Sequence, residues 1–171
     1  MPLLGTHGVL AGLSHSLLFL CVSMYVGTGW SLVLFSFPIA PQLTPATYYN
    51  QFVPQVTEAT QFFTYMTGLM LLCGGLMLYC ERRTGLWGFP LGVLLGVVAA
   101  TALTMLFIIP YNKQMSAGIT DAAVLRTVLH HWMRLNVVRV LLWTAQWLCM
   151  MGYFFRQYQR ANGYGTETDA H

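Results

Sequence analysis

Charge is what this chain of 171 residues has least of: Asp, Glu, Lys and Arg make up 8% of it. A soluble globular domain carries about 25%, so an ordinary soluble fold is excluded. The basic excess is a formal +3, spread along the sequence. With no Lys/Arg cluster and no basic, aromatic-rich loop, nucleic acid is not an expected partner. Cysteine is also sparse. Cys21, Cys73, Cys80 and Cys149 form neither CxxC nor a zinc spacing. Each lies within or at the edge of an apolar segment, where a thiol acts as a small apolar residue. No His-x-x-x-His or Glu-x-x-His pair falls within an apolar segment, so no metal site is expected. The N-terminus lacks a basic stretch, and its first apolar run is too long for the core of a secretory signal. It reads as a retained membrane anchor.

What is abundant is hydrophobic residues, 56% of the chain. Four segments are long enough to cross about 30 Å of hydrocarbon: residues 9–37, 61–80, 86–109 and the apolar part of 121–156. The expected fold class is all-α, an integral membrane four-helix bundle running up-down-up-down. It fills a single domain over residues 1–156, with 157–171 as a polar, mobile tail. The first segment is longer than needed, so it tilts or extends past the bilayer. Thr44-Pro45 reads as an N-cap followed by proline at the first helical position. This predicts a short helix over 46–53, with Tyr48, Tyr49 and Phe52 at the membrane interface. Pro110 bounds the third segment. Thr120-Asp121 starts the fourth, which enters the membrane near Trp132. Gly8/Gly12 and Gly92/Gly96 are small-xxx-small pairs suited to close helix packing, within this bundle or with a partner.

Loop charge sets the expected orientation. Arg82 and Arg83 follow the second segment, and Arg156 and Arg160 follow the fourth, while the opposite side holds Lys113 and Arg126. The positive-inside rule places both termini in the cytoplasm and the short interfacial helices on the other side.

A polar stripe runs down the fourth segment. Trp132, Asn136, Arg139, Trp143 and Gln146 fall within about 80° of one another on a helix. An arginine about two turns into a hydrophobic segment costs on the order of 3 kcal/mol unless it is paired or faces water. A polar pocket between helices is the expected compensation. In the up-down-up-down order, Tyr111 and Asn112, His130 to Arg139, and Glu58, Thr60 and Gln61 meet at the outer end, and few comparable groups occupy the inner end.

Each of these residues also has a structural reading. Arg139 can pair with Glu58 or cap carbonyls. Arg134, about 140° around the helix from Arg139, can snorkel to headgroups. Trp132 and Trp143 can be packing aromatics, and Asn112 a helix C-terminal turn residue. His131 borders the polar face and His130 points away from it. A haem held between His15 and this histidine pair is argued against by depth, which differs by roughly 15 to 20 Å. The aromatic residues near this end suit the walls of a pocket for a flat hydrophobic molecule.

Three patterns carry a family resemblance: Pro110-x-Asn112, Trp132-x-x-x-Asn136-x-x-Arg139, and Gly27-x-Gly29 leading to Phe37-Pro38. With them the chain resembles the small four-helix membrane proteins of the anthrone-oxygenase-like family, most of which have no assigned function. Some are thought to oxygenate anthrones to anthraquinones without a metal or flavin. The resemblance places the family's polar motif on Asn112, Trp132, Asn136 and Arg139, and it implies no cofactor.

Two functions follow as expectations. In the first, the pocket binds a hydrophobic planar ligand such as a phenol or quinone, or the chain is an accessory subunit of a membrane complex. Asn112, Trp132, Asn136, Trp143 and Tyr111 would line that pocket, and the partners would be membrane lipid, the ligand, other subunits or further copies of the chain. In the second, the chain oxygenates anthrone-like phenols without a cofactor. Arg139 would stabilise the substrate anion, and His131 or Glu58 would act as general base. A transporter fits less well, because the polar residues gather at one end rather than the midplane.

Overall fold

The computed structural model describes residues 6–163. Helix α1 covers Thr6–Ser31 and continues through a π turn at Leu32–Ser36. Helix α2 covers Tyr48–Glu81. Helix α3 covers Gly88–Leu103, and a π turn at Thr104–Ile108 leads into α4, Ile109–Ser116. Helix α5 covers Ala122–Ala161. Four stretches, Gly8–Ser36, Tyr48–Glu81, Gly88–Ser116 and Ala122–Ala161, are long and apolar enough to cross a membrane. They support a multi-pass membrane protein, with lipid-facing Leu, Val and Phe side chains left exposed along their outer surfaces.

The boundaries differ from those expected at three places. The predicted helix over 46–53 and the segment over 61–80 are one helix, α2, with Pro54 inside it. Residues 54–60 contain no glycine, and Thr57 and Thr60 return their hydroxyls to the carbonyls of Val53 and Val56 at 2.9 and 2.7 Å. Pro54 frees the carbonyl of Asn50, an exposed residue in the first turn of α2. Pro110 does not end the third span. It lies in the first turn of α4, directly after the π turn, within one helical stretch from Gly88 to Ser116. Helix α5 runs past Phe155 to Ala161, so residues 157–161 of the expected tail are helical, and 164–171 lie outside the described residues. Asp121 caps the start of α5, its Oδ1 accepting from the N–H groups of Ala123 and Val124 at 2.7 and 3.2 Å.

The helices close into a ring, α1 against α2 and α5, and α3 against α2 and α5. Contacts between α1 and α5 run in opposite sequence senses: His15 meets Tyr153, Phe19 meets Phe154, and Gly29 lies against Trp143. Helices α3 and α5 do the same, with Phe89 beside Gly152, Gly92 beside Cys149 and Gly96 beside Gln146. Gly92 and Gly96 therefore serve packing against α5, whereas Gly12 faces open space.

Two apolar clusters fill the interior. One contains Leu18, Met70, Met77, Val93 and Met150. The other contains Tyr48, Phe52, Ile108, Leu125 and Trp132. Tyr48, expected at an interface, is 1% exposed. Its hydroxyl donates to the Met115 carbonyl at 3.0 Å and accepts from the Ile119 N–H. It thereby ties α2 to the α4–α5 connection.

Candidate functional site

Members of both clusters line one cavity of about 670 Å³. Both π turns contribute to its wall, through Leu32 and Ser36 on one side and Thr104 and Ile108 on the other. Such turns widen a helix locally and are frequent at functional sites. Along α5 the wall is Trp132, Arg139, Trp143 and Gln146. At a rise of 1.5 Å per residue this is a depth of about 21 Å, so the cavity reaches well below the bundle end where the sequence places it.

Arg139 and Tyr25 are the ionisable side chains in the cavity wall; no carboxylate, imidazole or thiol contributes among the described residues. The Arg139 guanidinium carbon lies 4.7 Å from the Trp143 ring centroid. Its Nε is buried without a hydrogen-bond partner. A desolvated cation–π contact is worth about 2 kcal/mol, whereas removing a cation from water costs several. The stacking therefore offsets only part of the cost of burying Nε, and no carboxylate in the cavity wall faces the guanidinium.

Trp143 is held in place from three sides. Tyr25 meets it edge-on at 4.8 Å and Phe63 lies at 5.8 Å. A Cβ at Gly29 would come within 2.8 Å of both the Trp143 ring and Val140, so only glycine admits this approach of α1 to α5. The Tyr25 hydroxyl donates to the Phe63 carbonyl at 2.7 Å and meets the Thr67 hydroxyl at 2.8 Å.

At the Trp132 end of the cavity, the indole N–H donates to Asn112 Oδ1 at 2.7 Å, joining α5 to α4. Phe52 and Phe37 flank the indole edge-on at 4.7 and 5.8 Å. Gln146 lies at the deep end. It is 1% exposed, and neither heteroatom of its amide has a partner.

Of the residues singled out from sequence, the cavity brings together Asn112, Trp132, Arg139 and Trp143. It does not include Asn136, whose side chain is fully buried and donates back to the Trp132 carbonyl at 2.8 Å. Glu58 is exposed and does not line the cavity. Arg139 Nε is correspondingly left without it as a counter-ion. His131 is exposed too, bonded through Nδ1 to the Thr127 carbonyl at 2.8 Å and stacked on Tyr111 at 6.1 Å. That pair lines a separate recess between α4 and α5. The two residues expected to serve as general base thus stand outside the cavity.

The other end of the bundle holds a polar network that the sequence reading missed. Tyr153 is fully buried and donates to Glu81 Oε1 at 2.6 Å. With that hydrogen committed, the hydroxyl accepts from His15 Nδ1 at 3.2 Å and from the Gln157 amide. Thr84 donates to the other Glu81 oxygen, and Arg160 donates to the Thr84 carbonyl at 2.7 Å. The expectation of few polar groups at this end is thereby corrected. The signal was present: antiparallel order brings residues 15, 81 and 153 to one depth. His15 meets Tyr153, about six helical turns from His131, so these histidines share no ligand. Among the described residues no group of three or more His, Cys, Asp or Glu is placed to hold a metal ion.

Compared with known family models, with characterised proteins and with solved structures, the chain matches none.

Proposed function

We propose that this chain is a multi-pass membrane protein that binds an acidic, planar hydrophobic molecule of the phenol or quinone class beside Arg139. Both termini lie on the cytoplasmic side and the spans run up-down-up-down, with the cavity mouth toward the outer face. One observation carries the reading: a half-buried arginine whose buried Nε has no hydrogen-bond partner, in a cavity with no carboxylate in its wall. An anion entering that space supplies the compensation that the Trp143 ring cannot. The cavity volume of about 670 Å³ falls in the range that encloses a drug-sized ligand. Phe52, Phe63 and Trp132 offer apolar surface for a flat ring system. The ligand reaches the site from the lipid, where such molecules partition.

A second reading, the cofactor-independent oxygenase, is favoured by the meeting of Asn112, Trp132 and Arg139 on one cavity. It lacks a base there, since His131 and Glu58 lie elsewhere. In that reading the substrate arrives already ionised.

The test is native mass spectrometry of the protein in mild detergent, with extraction and identification of small molecules. A planar acidic compound bound by the wild type and lost from Arg139→Met is the expected result. An empty wild-type protein bound in fixed ratio to other membrane chains replaces the reading with an accessory subunit. Full retention of the compound by Arg139→Met removes the role of the guanidinium.

A further inference from the structure

Among the described residues Gln146 alone has two buried side-chain polar atoms without a partner. It is 1% exposed, it lines the cavity, and its Nε2 and Oε1 both lack a partner. Packing does not account for it. The room it occupies exists because residue 96 is glycine: a Cβ there would lie 2.5 Å from Gln146 Cγ and 3.0 Å from Nε2. A leucine beside Gly96 would leave no unpaired polar atom there. The neighbouring walls supply no substitute partner. The Tyr25 hydroxyl is already engaged by Phe63 and Thr67.

We infer that the molecule bound in this cavity carries a second, uncharged polar group, a hydroxyl, that hydrogen-bonds the Gln146 amide. The inference rests on the anion-binding reading above and adds the ligand's other end. A primary amide presents one donor group and one acceptor side by side. A hydroxyl satisfies both at once, donating to Oε1 and accepting from Nε2. A carbonyl satisfies only one. Both amide atoms are packed in beside Gly96 and closed off from the open cavity, so the ligand engages them by turning the side chain, whose terminal amide torsion is broad and nearly two-fold.

Backbone spacing bounds the ligand's length: positions 139 and 146 are about 10 Å apart along α5, and the Arg139 guanidinium stacks on Trp143 between them. The ligand class is therefore a rod-like aromatic acid, anionic at the end nearer the mouth and hydroxylated at the deep end. Two fused rings substituted at opposite ends span such a distance. Gln146 is a specificity residue in this scheme. Arg139 supplies attraction for any planar anion, and Gln146 selects those with a hydroxyl at the correct reach.

The experiment compares two probes on the full-length protein in detergent by isothermal titration: 6-hydroxy-2-naphthoate and 2-naphthoate. They differ only in the hydroxyl. The wild type is expected to bind the hydroxylated probe about tenfold or more tightly than the other, because a site built around a polar group rejects the analogue that lacks it. Gln146→Leu is expected to erase that preference, bringing the two affinities within about twofold of each other. Arg139→Gln is expected to weaken both probes alike. Equal affinity of the wild type for the two probes, within about twofold, overturns the role of Gln146 and leaves the anion site standing. So does a preference that survives in Gln146→Leu. Binding of neither probe, or binding untouched by Arg139→Gln, overturns the anion site itself.

Discussion

Tyr153→Phe isolates the polar network at the Glu81 end, because it deletes one oxygen and keeps the ring. That oxygen joins three elements: Glu81 on α2 at 2.6 Å, His15 on α1 at 3.2 Å, and Gln157 one turn along α5. A hydrogen bond between membrane helices averages about 0.6 kcal/mol. One to a charged acceptor is worth about 1.5–3 kcal/mol, and a buried group left unpaired forfeits its full desolvation cost. Glu81 and His15 are 6% and 9% exposed, so water does not readily replace the lost partner. The bond to Glu81 dominates, the other two add roughly 1 kcal/mol together, and the total loss is about 3 kcal/mol. The ring contacts to His15, Phe89 and Phe154 survive, so little of this is packing. The assay is reversible unfolding by SDS titration from mixed micelles, followed by circular dichroism, for the wild type, Tyr153→Phe, Glu81→Gln and the double variant. A coupling energy above about 1 kcal/mol between the two positions is expected. A Tyr153→Phe loss below about 0.6 kcal/mol, or additive single effects, refutes the view that this hydroxyl pins the helices together.

Gly29→Ala places a carbon 2.8 Å from both Trp143 and Val140, and overpacking of this kind costs about 1–3 kcal/mol. It should lower the thermal midpoint and alter tryptophan emission, whereas Gly27→Ala, with nothing within 4 Å, should stay within about 0.5 kcal/mol of wild type. Asp121→Ala removes the side-chain acceptor for Ala123 and Val124. It should destabilise the start of α5 by about 1 kcal/mol and raise amide exchange over its first turn. Unchanged exchange there would show that the cap is redundant.

The four long helices were readable because apolar runs of this length have one stable form in lipid, where every backbone group must be satisfied locally. Helix ends were less readable. Pro54 and Pro110 look like punctuation in a linear sequence, yet Pro54 is carried inside α2 and Pro110 sits where a π turn hands over to α4. Neither outcome is visible without knowing where neighbouring hydroxyls and turns fall. The stripe on α5 was readable from 100° periodicity, and Trp132, Arg139, Trp143 and Gln146 do share one cavity wall. Periodicity cannot supply the width of the stripe. Asn136 lies on the same helical face but turns into the protein, bonding its own helix. The partners of Arg139 were misassigned because proximity in a loop order is not proximity in space: Glu58 sits on the exposed side of α2. Tyr25 went unnoticed, and Gly29 was noted only as part of a motif, since a tyrosine and a glycine in an apolar run carry no local signal of what faces them.

The network around Tyr153 gives the bundle a fulcrum. Close approaches at Gly74, Gly92 and Gly152 lie toward the same end, so three helices are joined there by polar bonds and tight packing together. Along the cavity the helices meet at Gly29 and Gly96 and through the Trp132–Asn112 bond, while Arg139 Nε and the Gln146 amide remain unpaired. If the Tyr153 network acts as a pivot, a splay of about 3° over the roughly 30 Å from His15 to the start of the Phe37 turn parts the far ends of the helices by roughly 2 Å, so a small gape would widen the cavity with no helix leaving the bundle.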